Sequence, residues 1–313
     1  MKLNRDYILT VGVGPYGPPT TAGAGPIAKA TKTVVIKPPY TIEFDVKREF
    51  AAVSQTATIK IENLGEGIRN AIYKDPFSAG LYAEVQLQAG YQGQYLPTIF
   101  RGTILWAQSH REGQKNFVTE ISAQDGGFAM ATSYTSAQLG PSQSLADALG
   151  VLNADLFGVS ATPLLGTLPQ GPLGLRTTLL VGPTFGLIQK ILPIGFSATI
   201  DTNQLKVLAD TDGIQFGSTV YVIDAATGLL DPPVREGVGI SCKMLFEPRI
   251  TVGQYVVLKS EDNSLFNGGF QVKGVSHAAI ISPTKNGPAT TTLQIYNFGK
   301  ITQLTGSYFA PNQ

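Results

Sequence analysis

Two neighbouring stretches decide the fold: Glu247-Pro-Arg-Ile-Thr-Val-Gly-Gln-Tyr-Val-Val-Leu258 and Gly268-Gly-Phe-Gln-Val-Lys-Gly-Val-Ser-His277. The first predicts a strand through Tyr255 and Val257 that follows a turn containing Gly253. The second predicts the next strand, which begins after the break made by its two leading glycines. Together the two stretches indicate a β-region built from short strands and tight turns.

The strand in the first stretch is apolar on both of its faces. Val256 and Leu258 lie on one side and Tyr255 and Val257 on the other, because successive side chains of a strand alternate. Such a strand needs cover on both sides, so we expect one face in a core and the other against a neighbouring domain or subunit. Alternation alone does not tell which face is which. These four residues and Trp106, the single tryptophan, are our interface candidates. For Trp106 a position in a core is the alternative.

Residues 1–36 differ from the rest of the chain in their richness in glycine and proline. The stretch Thr10-Val-Gly-Val-Gly-Pro-Tyr-Gly-Pro-Pro-Thr-Thr-Ala-Gly-Ala-Gly-Pro26 disfavours both a helix and a central strand. Apolar residues nevertheless stand at its two ends. We therefore predict an extended amino-terminal arm that lies on another protein, a neighbouring subunit or a different one, and makes few contacts with its own domains.

Residues 37–130 alternate between apolar and polar side chains in several short segments, which predicts strands, with one short helix at residues 66–74. A closed or nearly closed antiparallel barrel accounts for this pattern, because closure leaves no exposed strand edge. Residues 213–313 show the same kind of pattern, and their last hairpin turns at Asn286-Gly287. The sequence thus predicts two similar antiparallel β-barrel domains.

Residues 131–212 form a different kind of segment between the two predicted barrels. Ser144 and Asp147 have the spacing of a capping box at the start of a helix. A second short helix starts at Thr184 and stops at Pro193, and a hairpin turns at Asp201-Thr-Asn203. The predicted fold class is therefore mainly β with a small α insertion, a helical and loop region flanked by two β-domains.

The composition favours a protein that makes large contacts with other proteins. Charged residues are 14% of the chain, against about 25% in ordinary soluble domains. The formal net charge of +1 lacks the basic excess of a typical nucleic-acid binder. The amino terminus has no apolar signal-peptide segment, and no run of about 18 apolar residues predicts a transmembrane helix.

The motif search predicts no catalytic, cofactor or metal site. His110 and His277 stand far apart without metal-site spacing, and we expect His277 to be a hydrogen-bonded structural residue. The single cysteine, Cys242, excludes an intramolecular disulfide and lies in an apolar run, so we expect it to be buried. Acids such as Glu84 and Asp125 could form a glycosidase pair, but acids on β-domains are more often solvated.

Several short motifs occur in a fixed order along the chain: Ile59-Lys-Ile-Glu-Asn-Leu64, Ala89-Gly-Tyr91, Ile99-Phe-Arg-Gly-Thr-Ile104, Gln124-Asp-Gly126 and the two stretches quoted first. In this order they resemble the baseplate hub proteins of contractile-tailed bacteriophages and related injection machines. The resemblance covers the chain from Pro38 onward. It implies a structural virion protein with two similar barrel domains per subunit, three subunits forming a ring of six barrels.

The resemblance also implies partners and a location. Such a homotrimer joins a sixfold tail tube to a threefold spike, contacts baseplate wedge or tape-measure proteins, and forms part of a channel through which DNA passes. It would be made in the host cytoplasm, lie in the virion baseplate, and involve no membrane and no cofactor. Three alternatives stay open: a distal-tail or tail-tip component of a noncontractile tail, a phage cell-wall-degrading enzyme, and a carbohydrate-binding β-protein of the cell surface.

Overall fold

The computed structural model describes residues 4–14, 32–50, 54–77, 82–114, 116–174, 176–216, 220–297 and 300–304. The first β-region contains β1 (Arg5–Gly14), β2 (Lys32–Ile36), β3 (Ile42–Glu49), β4 (Gln55–Glu62), α1 (Glu66–Ile72), β5 (Tyr82–Tyr91), β6 (Thr98–Glu112) and β7 (Asn116–Asp125). The insertion contains α2 (Gly127–Thr132), β8 (Tyr134–Leu139), α3 (Leu145–Asp155), β9 (Leu164–Leu165), β10 (Thr178–Pro183), α4 (Thr184–Ile191), β11 (Phe196–Asp201) and β12 (Gln204–Ala209).

The second β-region contains β13 (Asp212–Phe216), β14 (Tyr221–Ile223), β15 (Val234–Glu236), β16 (Gly239–Leu245), β17 (Tyr255–Leu258), β18 (Gly268–Ile281), β19 (Ala289–Asn297) and β20 (Lys300–Leu304). A single 3-10 turn, Ser264–Phe266, precedes β18 among the described residues. The predicted fold class, mainly β with a small α insertion between two β-regions, is confirmed. The exact boundaries predicted between the segments stay a proposal.

One sheet runs through both β-regions. Its strand order is β15-β16-β19-β18-β3-β4-β7-β6-β5-β1-β2, and β17 and β14 extend it from β18. Neighbouring strands along this order are antiparallel, whereas β14 pairs with β17 in parallel. The two β-regions are therefore joined by backbone hydrogen bonds as well as by the chain.

The long strand β18 carries the sheet from one region into the other. Residues 268–271 pair with β17, residues 274–281 pair with β3, and the register on β19 shifts between Val272 and Gly274. Phe270 and Val272 accordingly lie in the second core, whereas Ala279 and Ile281 lie in the first. A third core fills the insertion between its helices and the hairpin β11–β12.

The predicted amino-terminal arm is wrong for residues 5–14 and 32–36. Strand β1 pairs with β5 along ten residues and with β2 on its other side. Tyr7, Leu9 and Val11 are fully buried in the first core. The physical reason is their period of two, which gives a strand one apolar face regardless of the glycines beyond it. The most proline-rich part of the predicted arm, residues 15–31, lies outside the described residues.

Local predictions in the insertion and around it are confirmed. Helix α1 occupies most of the predicted residues 66–74, and α4 starts at Thr184. Helix α3 begins with the predicted capping box, in which the Asp147 N–H donates to Ser144 Oγ over 3.2 Å and the Ser144 N–H donates to Asp147 Oδ2 over 2.9 Å. The β11–β12 hairpin turns through Thr202 and Asn203, both with positive φ, as in a type I′ turn.

Candidate functional site

Strand β17, which was predicted to carry an interface, turns one face into a core. Val256 and Leu258 are fully buried in the second core, so listing these two as interface candidates is wrong. Tyr255 and Val257 lie half-buried on the opposite face. Tyr255 covers Gly269, where an added Cβ would lie 2.5 Å from the tyrosine oxygen. A contact of Tyr255 and Val257 with another subunit stays a prediction.

Trp106 lies on β6 at a β-bulge. The register between β6 and β7 shifts between Ile104 and Trp106, so Leu105 is the extra residue and is 44% exposed. Trp106 pairs with Ser122 and is half-buried outside the first core. Of the two predicted environments, core or interface, the structure thus excludes the core. An interface at Trp106 stays a prediction.

Seven strands, β16, β19, β18, β3, β4, β7 and β6, share one face that points away from the cores, and we call it the outer face. Three rows of cross-strand neighbours define it. The rows are Leu245, Thr290, Ala278, Asp45, Thr58, Ser122, Trp106; then Lys243, Thr292, Ser276, Lys47, Thr56, Gln124, Thr103; then Ile280, Glu43, Lys60, Glu120, Gln108. At about 4.8 Å per strand, seven strands span about 29 Å.

Short hydroxyl side chains and balanced charges characterise the outer face. Its three rows contain three lysines and three acids: Lys47, Lys60, Lys243, Glu43, Asp45 and Glu120. Lys60 stands between Glu43 and Glu120 in its row, and opposite charges on neighbouring strands stabilise the pairing. A face of this kind carries no net charge that would hold a polyanion.

A buried ionic junction, formed by Arg48, Asp201, Lys206 and Thr251, joins the three cores. Lys206 Nζ lies 2.7 Å from Asp201 Oδ2, and Arg48 Nη1 lies 3.6 Å from Asp201 Oδ1. Thr251 Oγ1 donates to Asp201 Oδ2 over 3.1 Å and accepts from Lys206 Nζ over 2.9 Å. Arg48 belongs to the first β-region, Thr251 to the second, and the other two to the insertion. The junction therefore fixes the three parts relative to one another.

The environment of the junction sets the ionisation of its members. Burial disfavours the charged form of Asp201, but Lys206 and Arg48 outweigh it and lower the pKa of this carboxyl to about 2. His277 is fully buried; burial and the adjacent Arg48 hold its pKa well below the usual range. Its Nε2 lies 3.1 Å from Arg48 Nη2 and its Nδ1 lies 3.0 Å from Thr291 Oγ1. The predicted structural role of His277 is confirmed.

A second buried acid adjoins the junction. Asp125 is fully buried, and burial followed by the neighbouring charge of Asp201 raises its pKa well above the usual range. The Asn203 N–H donates to Asp125 Oδ1 over 3.4 Å, and Asn203 Nδ2 donates to Glu84 Oε1 over 3.0 Å. Glu84 in turn pairs with Arg101 at 2.6 Å. Glu84 and Asp125, named above as possible glycosidase acids, thus hold the hairpin tip against the first β-region.

Groups that could support catalysis or metal binding are scarce in the part of the chain that the structure describes. There, no three side chains of histidine, cysteine, aspartate or glutamate converge as a metal site would require. Cys242 is buried, as predicted, and this burial raises the pKa of its thiol to about 12. No helix among the described residues combines the length and the apolar character needed to cross a bilayer.

Sequence reasoning missed both the outer face and the ionic junction. The polar alternation of each strand was visible in the sequence, but the order of the strands was not. Asp201 was identified only as part of a hairpin turn, and Arg48 was not singled out at all. The sole local signal for the junction was an aspartate and a lysine five residues apart on one hairpin.

Solved structures with a similar fold are phage tail and secretion-system proteins. The 43 kDa tail protein of prophage MuSo2 from Shewanella oneidensis has a TM-score of 0.58 and 9% identity, over 94% of this chain and 98% of that chain. A tail protein from Neisseria meningitidis MC58 has a TM-score of 0.55 and 12% identity, over 93% and 96%. At such identities the likeness shows the fold alone.

A third similar structure is the c3393 protein of E. coli, with a TM-score of 0.51 and 8% identity over 93% of this chain and 77% of that chain. It is described as a type VI secretion component that resembles the T4 tail proteins gp27 and gp5. No curated protein matches the sequence.

A family model described as "Baseplate hub gp41" matches residues 26–278, which is more than half of the chain. This match agrees with the fold of the similar tail proteins and with the resemblance carried by the ordered motifs. The proteins of this family are structural and generally non-enzymatic. The chain therefore belongs to the baseplate hub gp41 family and is a structural component of a phage tail.

Proposed function

We propose that the protein is a homotrimeric baseplate hub that joins the sixfold tail tube to the threefold spike and forms part of the central channel. The observation that carries this proposal is the outer face, which runs without a break across two β-regions of one chain. Three copies would present six β-regions, so a threefold assembly would match a sixfold tube. In this proposal the tube protein, the spike protein and baseplate wedge or tape-measure proteins are the partners.

The dimensions and chemistry of the outer face support a channel lining. Three copies, each about 29 Å wide, give a ring about 28 Å across between backbones when the strands run along the axis. Strands that are tilted relative to the axis give a ring of larger diameter. Threonine, serine and alanine side chains narrow such a channel little, and balanced charges let DNA pass without being held. The baseplate of the virion is accordingly the proposed location, after synthesis in the host cytoplasm.

The proposed assembly predicts a trimeric ring. At micromolar concentration, mass photometry of the purified protein should give a species of three times 33.2 kDa, and electron microscopy should show rings with a central opening. The interfaces should be of the large obligate kind, above about 2,000 Å² in total. A stable monomer, together with assembled tails that contain no ring of this protein, would contradict the proposal.

The channel proposal predicts that added positive charge slows DNA delivery. Thr56→Lys and Thr58→Lys together add two charges per copy at exposed positions of the outer face. Particles carrying both changes should assemble normally yet deliver DNA about tenfold more slowly or worse, and added salt should relieve the effect, because phosphate contacts are weakened by salt. The matched control is Thr56→Gln with Thr58→Gln, which adds length without charge. Equal delivery by both variants would place this face outside the DNA path.

A further inference from the structure

One lateral end of the outer face is an exposed apolar cluster around the bulge in β6. Tyr73, Phe77 and Leu105 are 52%, 91% and 44% exposed, and we call these three the first edge. Beyond the bulge, Ala107 exchanges two backbone hydrogen bonds of 2.9 Å with Lys74 and no longer pairs with β5. The segment that carries Tyr73 is thereby held beside β6. Backbone pairing thus positions Tyr73 beside β6, the strand that carries Leu105.

The opposite lateral end has a second set of exposed apolar side chains, on β15, on β16 and on the segment that precedes β15. Leu230, Val234 and Leu245 are 46%, 58% and 41% exposed, and we call these three the second edge. The Leu245 N–H donates to Gly228 O over 2.8 Å and the Leu230 N–H donates to Lys243 O over 2.9 Å. Gly228 has φ +103°, and an added Cβ would lie 3.0 Å from Leu245 Cβ. A glycine is therefore needed to bring this segment against Leu245.

The two edges lie at the same level of the sheet. Leu245 and Trp106, the neighbour of Leu105, are the two end members of a single row of cross-strand pairs. Each step of this row joins directly opposed residues of neighbouring strands, so the two ends are related without a residue offset along the strands. When copies are arranged around an axis along the strands, the first edge of each copy meets the second edge of its neighbour.

We propose that the first edge of one copy packs on the second edge of the next copy and so closes the ring. The inference rests on the proposed homotrimeric hub, and it specifies which surfaces of neighbouring copies contact each other. The contact is heterologous, so each copy uses each edge once, and a closed rotation leaves neither edge exposed. An unrelated partner bound at one edge would leave the other apolar cluster uncovered, whereas a second copy covers both.

Two lysines beside the edges have partners within their own copy. Lys243, next to Leu245 along β16, lies 4.0 Å from Asp231. The Lys74 ammonium, next to Tyr73, donates to the backbone oxygen of Ile104. Each of the two lysines therefore already has a partner within its own copy. The two clusters can therefore meet without bringing these two lysines together unpaired.

Paired cysteines test the contact directly. In the variant Leu105→Cys with Leu245→Cys, six strand-to-strand steps, about 29 Å along the sheet, separate the two positions within one copy. A disulfide needs a Cβ separation of about 4 Å. Any bond between them must join two copies. Mild oxidation should therefore give dimers and trimers on a non-reducing gel, while the native Cys242 stays buried and unreactive.

The controls separate this inference from the proposed trimer. Each single-cysteine variant, and the pair Thr58→Cys with Leu245→Cys, whose first member lies in the middle of the outer face, should give no ladder. A trimer by mass photometry that forms no link between positions 105 and 245, either by oxidation or with a short bis-maleimide, overturns the edge contact and leaves the hub proposal standing. A monomer by mass photometry overturns both.

Discussion

Asp201→Asn is expected to lower the free energy of unfolding by about 3–5 kcal/mol, because it leaves two buried cations without their counter-charge. Arg48 and Lys206 are 3% and 4% exposed, and Asp201 contacts both. Asparagine keeps the shape of the side chain, so the loss measures charge and not volume. Urea unfolding at pH 7, followed by the fluorescence of the single tryptophan, checks the result.

Asp125→Asn, the identical change in the neighbouring buried acid, is expected to raise the free energy of unfolding at pH 7, because the fold disfavours the ionised carboxyl that the unfolded chain adopts at this pH. Burial and the charge of Asp201 already hold the pKa of Asp125 well above its usual range. Its Oδ1 accepts the Asn203 N–H, and an amide oxygen can accept the same bond. The two substitutions therefore test whether the junction needs one ionised acid or two.

The two acids should contribute pH dependences of opposite sign to the free energy of unfolding. The folded pKa of Asp201 is about 2, below the value of about 3.9 in an unfolded chain, so its contribution is present above about pH 4 and is lost as the pH falls towards 2. The folded pKa of Asp125 is raised, so its contribution is present below about pH 3.9 and is lost as the pH rises. Asp201→Asn should remove the first dependence and Asp125→Asn the second.

An exposed ion pair is the matched control for the junction. Asp210 pairs with Lys273 at 2.9 Å, but its side chain is 52% exposed. Asp210→Asn should therefore cost less than about 1 kcal/mol. If Asp201→Asn were as mild as Asp210→Asn, the junction would not hold the three cores together.

Val256→Asp should prevent folding, whereas Val257→Asp should leave a folded protein. Val256 is fully buried in the second core, where an unpaired carboxylate costs several kcal/mol, of the order of the whole stability of a domain. Val257 lies on the other face of the same strand and is half-buried. Soluble yield, circular dichroism and melting of the two variants check this difference.

Assembly gives the second readout for Val257. If the face with Tyr255 and Val257 contacts another subunit, Val257→Asp should be folded yet fail to form rings, and Val257→Ala should assemble. A variant Val257→Asp that folds and assembles like the unchanged protein would show that this face is solvent-exposed. A folded Val256→Asp would contradict the packing of the second core.

Local features of the sequence determined much of the secondary structure. The alternation of apolar residues in β3 and β4 and the capping box of α3 act over a few residues, so they could be identified without knowledge of the fold. The same holds for the hairpin at Asp201-Thr-Asn203. The order of the short motifs showed the resemblance to the baseplate hub family. Val256 and Leu258 were correctly placed on a common face.

The amino-terminal strand shows where local reasoning failed. Composition between residues 10 and 26 argued for an arm, because glycine and proline disfavour a central strand. Yet the strand that carries Tyr7, Leu9 and Val11 pairs with β5, more than seventy residues further along the chain, and these side chains are buried. A strand's partner is chosen by long-range packing, which outweighs the local preference.

Which side chains of each strand share a face follows from the sequence, because alternation is a property of the strand alone. Only the tertiary structure decided that β18 leaves β17 to pair with β3, more than two hundred residues away, and so joins two β-regions into one outer face. It likewise decided that Asp201 meets Arg48 and Thr251. Contacts of this range are set by how the cores pack together, and a periodic pattern contains no information about which strand lies next to which.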